Sequence, residues 1–452
     1  MRRIRGATLL VCALLLTACA GPKRLPPVVG DTGGPTAMPA GIPVLLGVGL
    51  VEEQPDLELA VDGPALLLDG RQRRLLARVN PDQPIVCRRS SSGVTWSAAG
   101  AQGTASSVIL QPEDPAHRCL HGERAYRGEF LVIPAPLAGG LTLVNNVSLE
   151  GYLRGVVPWE IGRPGRDALA AVEAQAVAAR TYTVSHLGVR QSHGFDVFAS
   201  VMDQVYRGAA DEDSLCNEAV QRTAGQVLRH GGTEITAYYS ACCGGVTSNV
   251  HEVWPRAAIS YLVSHADGPG GGRAWCAKSK WYRWQESWTR VHLEEILAET
   301  LPQYLEYMGE HGRAAWAGTL FSQDGGHGNR SRPGGLRNLE IRRRTTSGRV
   351  AELAVVTAAG TYHLRGDRVR WALTPPGGNP AILRSAFFDL DLEEDDGQLL
   401  SVTIRGRGYG HGIGMCQTGA LEMARRGHDY VAILSHYYPG AILSRLAGPP
   451  AP

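Results

Sequence analysis

The residue of this sequence best suited to acid–base chemistry is Glu160. Its surroundings are apolar, since residues 156–161 read VVPWEI. Removing a carboxyl group from water disfavours its charged form, so the pKa of Glu160 should be raised. Cleavage of a glycosidic bond needs such a group, because the leaving oxygen must receive a proton near neutral pH. The alternative is a partly buried structural glutamate held in an ion pair.

A second carboxylate beside Glu160 is harder to find. A glycoside hydrolase normally needs one, as nucleophile or as base. Asp196 and Asp203 are the candidates, and neither has comparably apolar neighbours. A reaction in which the sugar's own 6-hydroxyl attacks avoids this requirement, because one residue then serves as acid and afterwards as base. That route suits a sequence with one obvious candidate.

Candidate binding residues surround a glycine-rich stretch. Residues 410–414 read GHGIG, and glycines let a backbone approach a ligand closely. His411 and Gln417 would then hydrogen-bond sugar hydroxyls, although a tight turn with His411 satisfied internally is the alternative. Tyr206, Tyr239 and Tyr282 would offer stacking platforms for sugar rings, or else belong to the core.

The N-terminus predicts export and lipidation. Arg2, Arg3 and Arg5 precede a short apolar stretch, and residues 16–19 read LTAC, which matches a bacterial lipobox. The stretch is too short to span a bilayer of ~30 Å. We expect a signal peptide over 1–19, lipidation of Cys19 and a Pro/Gly-rich tether over 20–42. A plain secretory signal is the alternative. Alanine after the cysteine favours the periplasmic face of the outer membrane in a bacterium with two membranes.

The cysteines of an exported chain predict disulfides rather than a metal site. An oxidising compartment permits a Cys243–Cys276 bond, and Cys87 pairs most simply with Cys119 because no other cysteine lies in the N-terminal region. A structural zinc held by Cys242, Cys243, His251 and Cys276 is the weaker alternative, since the sequence has neither HExxH nor a CxxC pair. We therefore expect no cofactor.

The strand and helix patterns of the segments that must position these residues predict an α+β protein. Residues 43–145 are rich in short strand patterns, a second strand-rich stretch covers about 337–405, and helical segments lie between them. The clearest helix runs over 167–186, with Asp167 as its N-cap. We place the catalytic region at 146–443 and a tail at 444–452. The net charge of +2, from 45 Lys plus Arg against 43 Asp plus Glu, excludes the basic footprint of a nucleic-acid binder.

Several long motifs, in order, resemble the sporulation stage II protein D (SpoIID)/LytB family. The resemblance covers about residues 43–443, nearly the whole mature chain. The motifs that carry it are residues 146–160 (NVSLEGYLRGVVPWE), 174–182 (AQAVAARTY), 203–208 (DQVYRG), 239–247 (YSACCGGVT), 406–420 (GRGYGHGIGMCQTGA) and 436–440 (HYYPG). The resemblance implies work on peptidoglycan. Some members resemble lytic transglycosylases, which cut between MurNAc and GlcNAc and leave 1,6-anhydro ends, whereas others are described as enhancers of amidases.

The family's catalytic acid falls in a motif usually written Glu-Met-Pro, which here reads EIG at residues 160–162. This makes Glu160 the expected catalytic residue, and peptide-stripped glycan strands the expected substrate, with a cell-wall amidase as a further partner. The residues that we expect to bind substrate are Gln175, Arg180, Tyr206, Tyr239, Ser240, Tyr282, His411 and Gln417.

Two positions depart from the family pattern. Glu173 stands where the family often has lysine, and Ser240 stands where zinc-containing members commonly have histidine. If the lysine steadies substrate charge, Glu173 reverses its sign and favours a different function. That alternative is a binding module of the same fold, which attaches to glycan and stimulates an amidase without cutting.

Overall fold

The computed structural model describes residues 45–81, 83–137, 139–311, 321–322, 333–378 and 381–446. The predicted signal peptide, the lipidation site Cys19 and the tether lie outside these residues, as does most of the tail. None of the helices that the structure describes is both long and apolar enough to cross a membrane.

The first part of the described chain is built from strands, as the short strand patterns predict. In chain order they are β1 (Leu45–Gln54), β2 (Asp56–Val61), β3 (Ala65–Asp69), β4 (Leu75–Val79), β5 (Ile85–Ser90), β6 (Gly93–Ala98), β7 (Ala101–Ala105), β8 (Val108–Pro112), β9 (Cys119–His121), β10 (Arg124–Tyr126), β11 (Glu129–Pro134) and β12 (Leu141–Ser148).

A mainly helical part follows and contains Glu160. Its elements are α1 (Leu149–Glu160), α2 (Leu169–Ser185), β13 (Val197–Phe198), α3 (Ser214–Arg222), β14 (Gln226–His230), β15 (Thr233–Glu234), β16 (Tyr239–Ser240) and α4 (Val250–Val253).

The remaining elements form the second strand-rich stretch and the C-terminal helices. They are β17 (Trp284–Thr289), α5 (Arg290–His311), β18 (Phe321–Ser322), β19 (Leu336–Arg344), β20 (Val350–Thr357), β21 (Gly360–Arg365), α6 (Val369–Ala372), β22 (Phe388–Asp395), β23 (Gln398–Gly406), β24 (Met415–Cys416), α7 (Gln417–Arg425), α8 (Tyr430–Tyr437) and β25 (Ile442–Arg445). Together the elements make an α+β protein, and the predicted fold class is confirmed.

The early strands form two sheets. One has the order β13-β1-β12-β11-β8-β3-β4 and the other β10-β9-β2-β5-β6-β7. Their apolar side chains share one hydrophobic core with α1, α2, α7 and α8. Trp288, Leu297, Leu353, Val402 and others from β17 to β23 form a second core. The predicted boundary between residues 145 and 146 stays an interpretation of the sequence.

Helix α1 carries Glu160 and continues directly from β12. The Ser148 hydroxyl caps it by accepting a hydrogen bond from the Gly151 N–H at 3.2 Å. The helix ends at Glu160, because Ile161 closes the last turn and Gly162 adopts a left-handed φ of 81°, which suits glycine. Glu160 therefore lies in the last turn of this helix.

Helix α2 is buried along almost its whole length, from Ala171 to Val184. It begins at Leu169 after a short 3-10 turn over Arg166–Ala168, one residue later than the N-cap prediction implied. Asp167 makes no capping hydrogen bond, and its carboxylate pairs with Arg425 at 3.2 Å. The alanine-rich sequence of α2 lets α1, α3, α7 and α8 pack closely around it.

Candidate active site

The carboxyl group of Glu160 lies at the junction of α1 with three other segments. Its Oε1 accepts a hydrogen bond from the Val205 N–H at 2.9 Å, and the side-chain amide of Gln417 also contacts it. Burial raises the pKa of Glu160 to about 7, although both of these contacts lower it. This group is therefore a proton donor and acceptor matched to neutral pH.

Parallel pairing of β16 with β24 brings the predicted binding residues Tyr239 and Gln417 close to Glu160. Tyr239 lies opposite Met415 and Ser240 opposite Cys416, so α7 starts beside the site with Gln417 as its first residue. Gln417 is buried, and its Nε2 donates to Gln175 Oε1 at 3.3 Å. The negative charge of Glu160 contributes to raising the pKa of Tyr239, for which burial is the main cause.

A network centred on Gln204 supports the far side of the site. Its Oε1 accepts hydrogen bonds from Tyr152 at 3.2 Å and Thr183 at 2.7 Å, and its Nε2 donates to the Tyr239 hydroxyl at 2.8 Å. Sequence reasoning assigned no role to Gln204, Val205 or Tyr152. The DQVYRG run at 203–208 was the available signal, because it belongs to the motifs that resemble the family.

Asp196 and Asp203 do not accompany Glu160. Asp203 is almost fully buried and pairs with Arg190 at 3.2 Å, while Tyr182 and the Phe198 N–H donate to it. Asp196 accepts hydrogen bonds from the Gly47 and Gly188 amides. Both carboxylates are thus committed to backbone and side-chain partners, and neither is placed to act as a second catalytic group.

Arg180 and Tyr206 are structural residues. The Arg180 side chain is fully buried and binds Glu150 through two hydrogen bonds of 2.8 and 2.7 Å, while its other nitrogen atoms reach backbone carbonyl oxygens and Thr223. Tyr206 packs on Tyr152 in the core and donates to Asn145. The structure therefore corrects the expectation that these two side chains bind substrate.

His411 lies in a packed turn. Its Nδ1 accepts the Ile413 N–H at 3.0 Å, its ring packs on Trp254, and burial lowers its pKa to about 4. The imidazole is therefore neutral, with its proton on Nε2. Glycine is required around it, because a Cβ at Gly410 would lie 2.7 Å from the Ser240 Cβ. This geometry favours the internally satisfied turn over direct contact with a sugar.

Ser240 and Tyr282 are not among the described residues that hydrogen-bond to the Glu160 carboxyl group. The Ser240 hydroxyl is buried and has no hydrogen-bond partner among the described residues. Tyr282 is half-buried, and the Arg283 guanidinium lies 4.4 Å from the centre of its ring.

Glu173, which replaces the family's lysine, faces away from Glu160. It is buried on α2 and pairs with Arg222 of α3 at 3.2 Å. Burial raises its pKa, and the charges that act most strongly on it are those of Arg222, Glu218 and Asp429. A glutamate at this position therefore joins two helices and leaves the field around Glu160 little changed.

A buried cluster of cysteines lies on the other side of β24. Cys243, Cys276, Cys416 and Asp267 place one ligand atom each within 4.8 Å of one another. The Sγ atoms of Cys243 and Cys276 are 3.7 Å apart, and the Cys243 thiol donates to Asp267 Oδ2 at 3.0 Å. Sequence reasoning missed Asp267 and Cys416, which are brought in from distant segments.

The Cys242 thiol also contacts the thiols of Cys276 and Cys416, whereas the other predicted cysteine partners lie outside this cluster. His251 is exposed on α4, so the zinc set that included it is corrected. Cys87 and Cys119 are free thiols on strands that flank β2, opposite Leu57 and Val61 respectively. Strand geometry then separates them by roughly 15 Å, which is too far for a disulfide. The Cys87–Cys119 prediction was therefore wrong.

Comparison with known proteins finds two segments of this chain that match protein-family models. Residues 138–230, which include α1, α2 and Glu160, match the SpoIID family, described as stage II sporulation protein. Residues 320–414 match DUF8618, a domain of unknown function.

Individual relatives agree with the first match. The chain is 28% identical to the stage II sporulation protein D of Bacillus subtilis (strain 168) over 67% of this chain and 76% of that protein. The counterpart from Bacillus amyloliquefaciens is 27% identical over 73% and 86%. The amidase enhancer of Bacillus subtilis (strain 168) is 29% identical over 65% of this chain, and the match spans 40% of that protein's length. The chain is therefore similar to proteins of the SpoIID family, with the family match itself confined to residues 138–230.

Proposed function

We propose that this protein is a lytic transglycosylase that cuts the MurNAc–GlcNAc bonds of peptide-stripped peptidoglycan strands. The observation that carries the proposal is the partly buried Glu160, whose surroundings raise its pKa to about 7. Such a residue is half-protonated at neutral pH, so it can give a proton and then take one back. The similarity to the SpoIID family supports a role in the cell wall.

One residue is sufficient for the whole reaction. The Glu160 carboxyl group donates its proton to the GlcNAc oxygen as the bond to MurNAc C1 breaks. The resulting carboxylate then accepts the proton of the MurNAc 6-hydroxyl as that oxygen bonds to C1. The products are a new GlcNAc hydroxyl and a 1,6-anhydro end, no water is consumed, and Glu160 is protonated again.

The alternative function is that of a glycan-binding module that stimulates an amidase. The name of one relative, amidase enhancer, favours it. Under this alternative, the pocket around Glu160 and Gln417 would hold a sugar without cleaving it. A cell-wall amidase would then be a partner of the protein.

Digestion of purified peptidoglycan separates the two functions. Wild-type protein should release 1,6-anhydro ends from peptide-stripped strands, detected by mass spectrometry. The Glu160→Gln variant should lose ~10²–10⁴-fold in rate, because glutamine keeps the volume but cannot donate a proton. Circular dichroism provides the fold control. If the wild type yields no anhydro product but accelerates an amidase, the transglycosylase assignment fails.

We also propose that the cysteine cluster holds a structural zinc ion. Cysteine thiolates and aspartate carboxylates are both zinc ligands, and four such groups would complete a tetrahedral structural site. The 3.7 Å between the Cys243 and Cys276 sulfur atoms exceeds the ~2.05 Å of a disulfide. It matches the ~3.8 Å edge of a tetrahedron with Zn–S bonds of ~2.3 Å. The ion would join Cys243, Asp267, Cys276 and Cys416 beside β24, and it would take no part in the chemical step.

Metal analysis of protein prepared without chelator or reductant tests the zinc site. We expect about one zinc per chain, with the cluster thiols unreactive towards a thiol reagent until a chelator is added. The Cys416→Ser variant should bind less zinc and melt at a lower temperature. The matched control is Cys87→Ser, which removes a buried thiol outside the cluster. A Cys243–Cys276 disulfide in metal-free protein would contradict the proposal and restore the sequence-based pairing.

A further inference from the structure

Trp159 is an exposed aromatic side chain directly next to the catalytic acid. It precedes Glu160 in the last turn of α1, and 42% of its surface is accessible. The guanidinium carbon of Arg207 lies 5.2 Å from the centre of its ring, and that of Arg163 lies 5.8 Å away. An indole held open to solvent between two cations is a surface with both an apolar face and positive charge.

The segment that holds Glu160 also positions Arg207. Along residues 204–207 the side chains of Gln204 and Tyr206 are buried, whereas Val205 and Arg207 are half-buried and face outward. The Val205 N–H binds Glu160, so Arg207 follows that contact by about 7 Å of extended chain. Glu160, Arg207 and Trp159 therefore border one continuous surface.

The charge of Arg207 is not neutralised in the described part of the chain. None of the ion pairs found there includes Arg207, and its Nε atom is buried without an acceptor. Arg163, in contrast, donates to the Asp211 carbonyl oxygen at 2.8 Å and lies 3.9 Å from the Asp211 carboxylate. A buried N–H without an acceptor is costly, so an anionic ligand at Arg207 would satisfy it.

We propose that Trp159 and Arg207 form a sugar subsite that recognises a muramyl residue by its free lactyl carboxylate. The indole would stack on the apolar face of the sugar ring, and the guanidinium would bind the carboxylate. That carboxylate exists only after the stem peptide is removed, because the peptide is attached to it through an amide. The subsite rests on the proposed function and would explain a preference for stripped strands.

Binding measurements in the Glu160→Gln background test the subsite without cleavage. The ligands are a peptide-stripped muramyl glycan fragment, the same fragment with its peptides, and a chito-oligosaccharide of equal length that has no lactyl group. Arg207→Gln should weaken binding of the stripped fragment about 10-fold or more and leave the chito-oligosaccharide unchanged, because only a charge-assisted contact is lost. Trp159→Ala should weaken binding of both. Added salt should weaken only the stripped fragment.

Two further variants keep the result interpretable. Arg405→Gln is the matched control, since Arg405 is exposed and pairs with Asp391 on the distant β22–β23 hairpin; it should bind all ligands like the parent. Arg207→Lys keeps the charge and should retain part of the preference for stripped over peptide-bearing strands. Equal weakening of charged and neutral ligands by Arg207→Gln, or no weakening, would overturn the subsite. Anhydro ends released by wild-type protein would still uphold the transglycosylase assignment in that case.

Discussion

The segment 203–205 touches two buried carboxyl groups whose surroundings are opposite in kind. Asp203 faces Arg190 and accepts further hydrogen bonds from Tyr182 and the Phe198 N–H. Glu160 receives the Val205 N–H and the Gln417 amide, and no cation is among the main influences on its pKa. Burial alone thus does not make a proton donor. A carboxyl group becomes a proton donor when it is removed from water without a nearby cation, because only then does its neutral form persist near pH 7.

The comparison predicts that removing the paired carboxylate costs the most stability. Asp203→Asn would leave Arg190, whose side chain is 9% exposed, as a buried cation without its partner. We expect a loss of about 3–5 kcal/mol in the free energy of unfolding, measured by urea titration. Asp389→Asn is the control, since Asp389 pairs with Arg344 on the surface and its side chain is 71% exposed. A stable but inactive Asp203→Asn protein would instead place Asp203 in the chemistry.

Replacing Glu160, the carboxyl group to which the described residues supply no cationic partner, should instead increase the free energy of unfolding, and only above acidic pH. The pKa of Glu160 is about 7 in the folded protein against 4.5 for the ordinary group. The folded state therefore holds this proton more tightly, and stability falls as pH rises from 4.5 to 7. Glu160→Gln removes this dependence, so the variant should gain up to about 3 kcal/mol over wild type above neutral pH and nothing in acid.

Paired urea titrations of wild type and Glu160→Gln across this pH range check the prediction, since other titrating groups cancel in the difference. Parallel stability curves would mean that Glu160 ionises normally, and the case for it as a general acid would then weaken.

Sequence patterns predicted the local features of this molecule better than its long-range contacts. The α+β class, a long central helix and an apolar setting for Glu160 all follow from short-range patterns. The position of Gln417 beside Glu160 depends on the parallel pairing of β16 with β24, and no local pattern encodes it. Arg180 lies in a motif that resembles the family and was expected to bind substrate, yet its side chain is fully buried and pairs with Glu150, which is distant in the sequence.

The cysteines show the same limit. Proximity in sequence suggested Cys87 with Cys119, but the sheet places β5 and β9 on opposite sides of β2. Asp267 and Cys416 join Cys243 only through tertiary packing. The sequence therefore pointed to Cys243 and Cys276 as neighbours but did not reveal Asp267 or Cys416 beside them.

The smallest effect that we predict is at Tyr239, which borders the acid without holding its proton. Its hydroxyl accepts the Gln204 Nε2 hydrogen bond at 2.8 Å, so Tyr239→Phe should cost about 1 kcal/mol in unfolding free energy. Cleavage should slow less than 10-fold, because the Val205 and Gln417 contacts to Glu160 remain. Tyr438→Phe is the matched control: its hydroxyl donates to the Tyr238 carbonyl oxygen at 2.7 Å, so a similar loss of stability should leave the cleavage rate unchanged. If Tyr239→Phe instead abolished cleavage as completely as Glu160→Gln, the phenol would be a second proton-transfer group, and the single-residue mechanism would have to be abandoned.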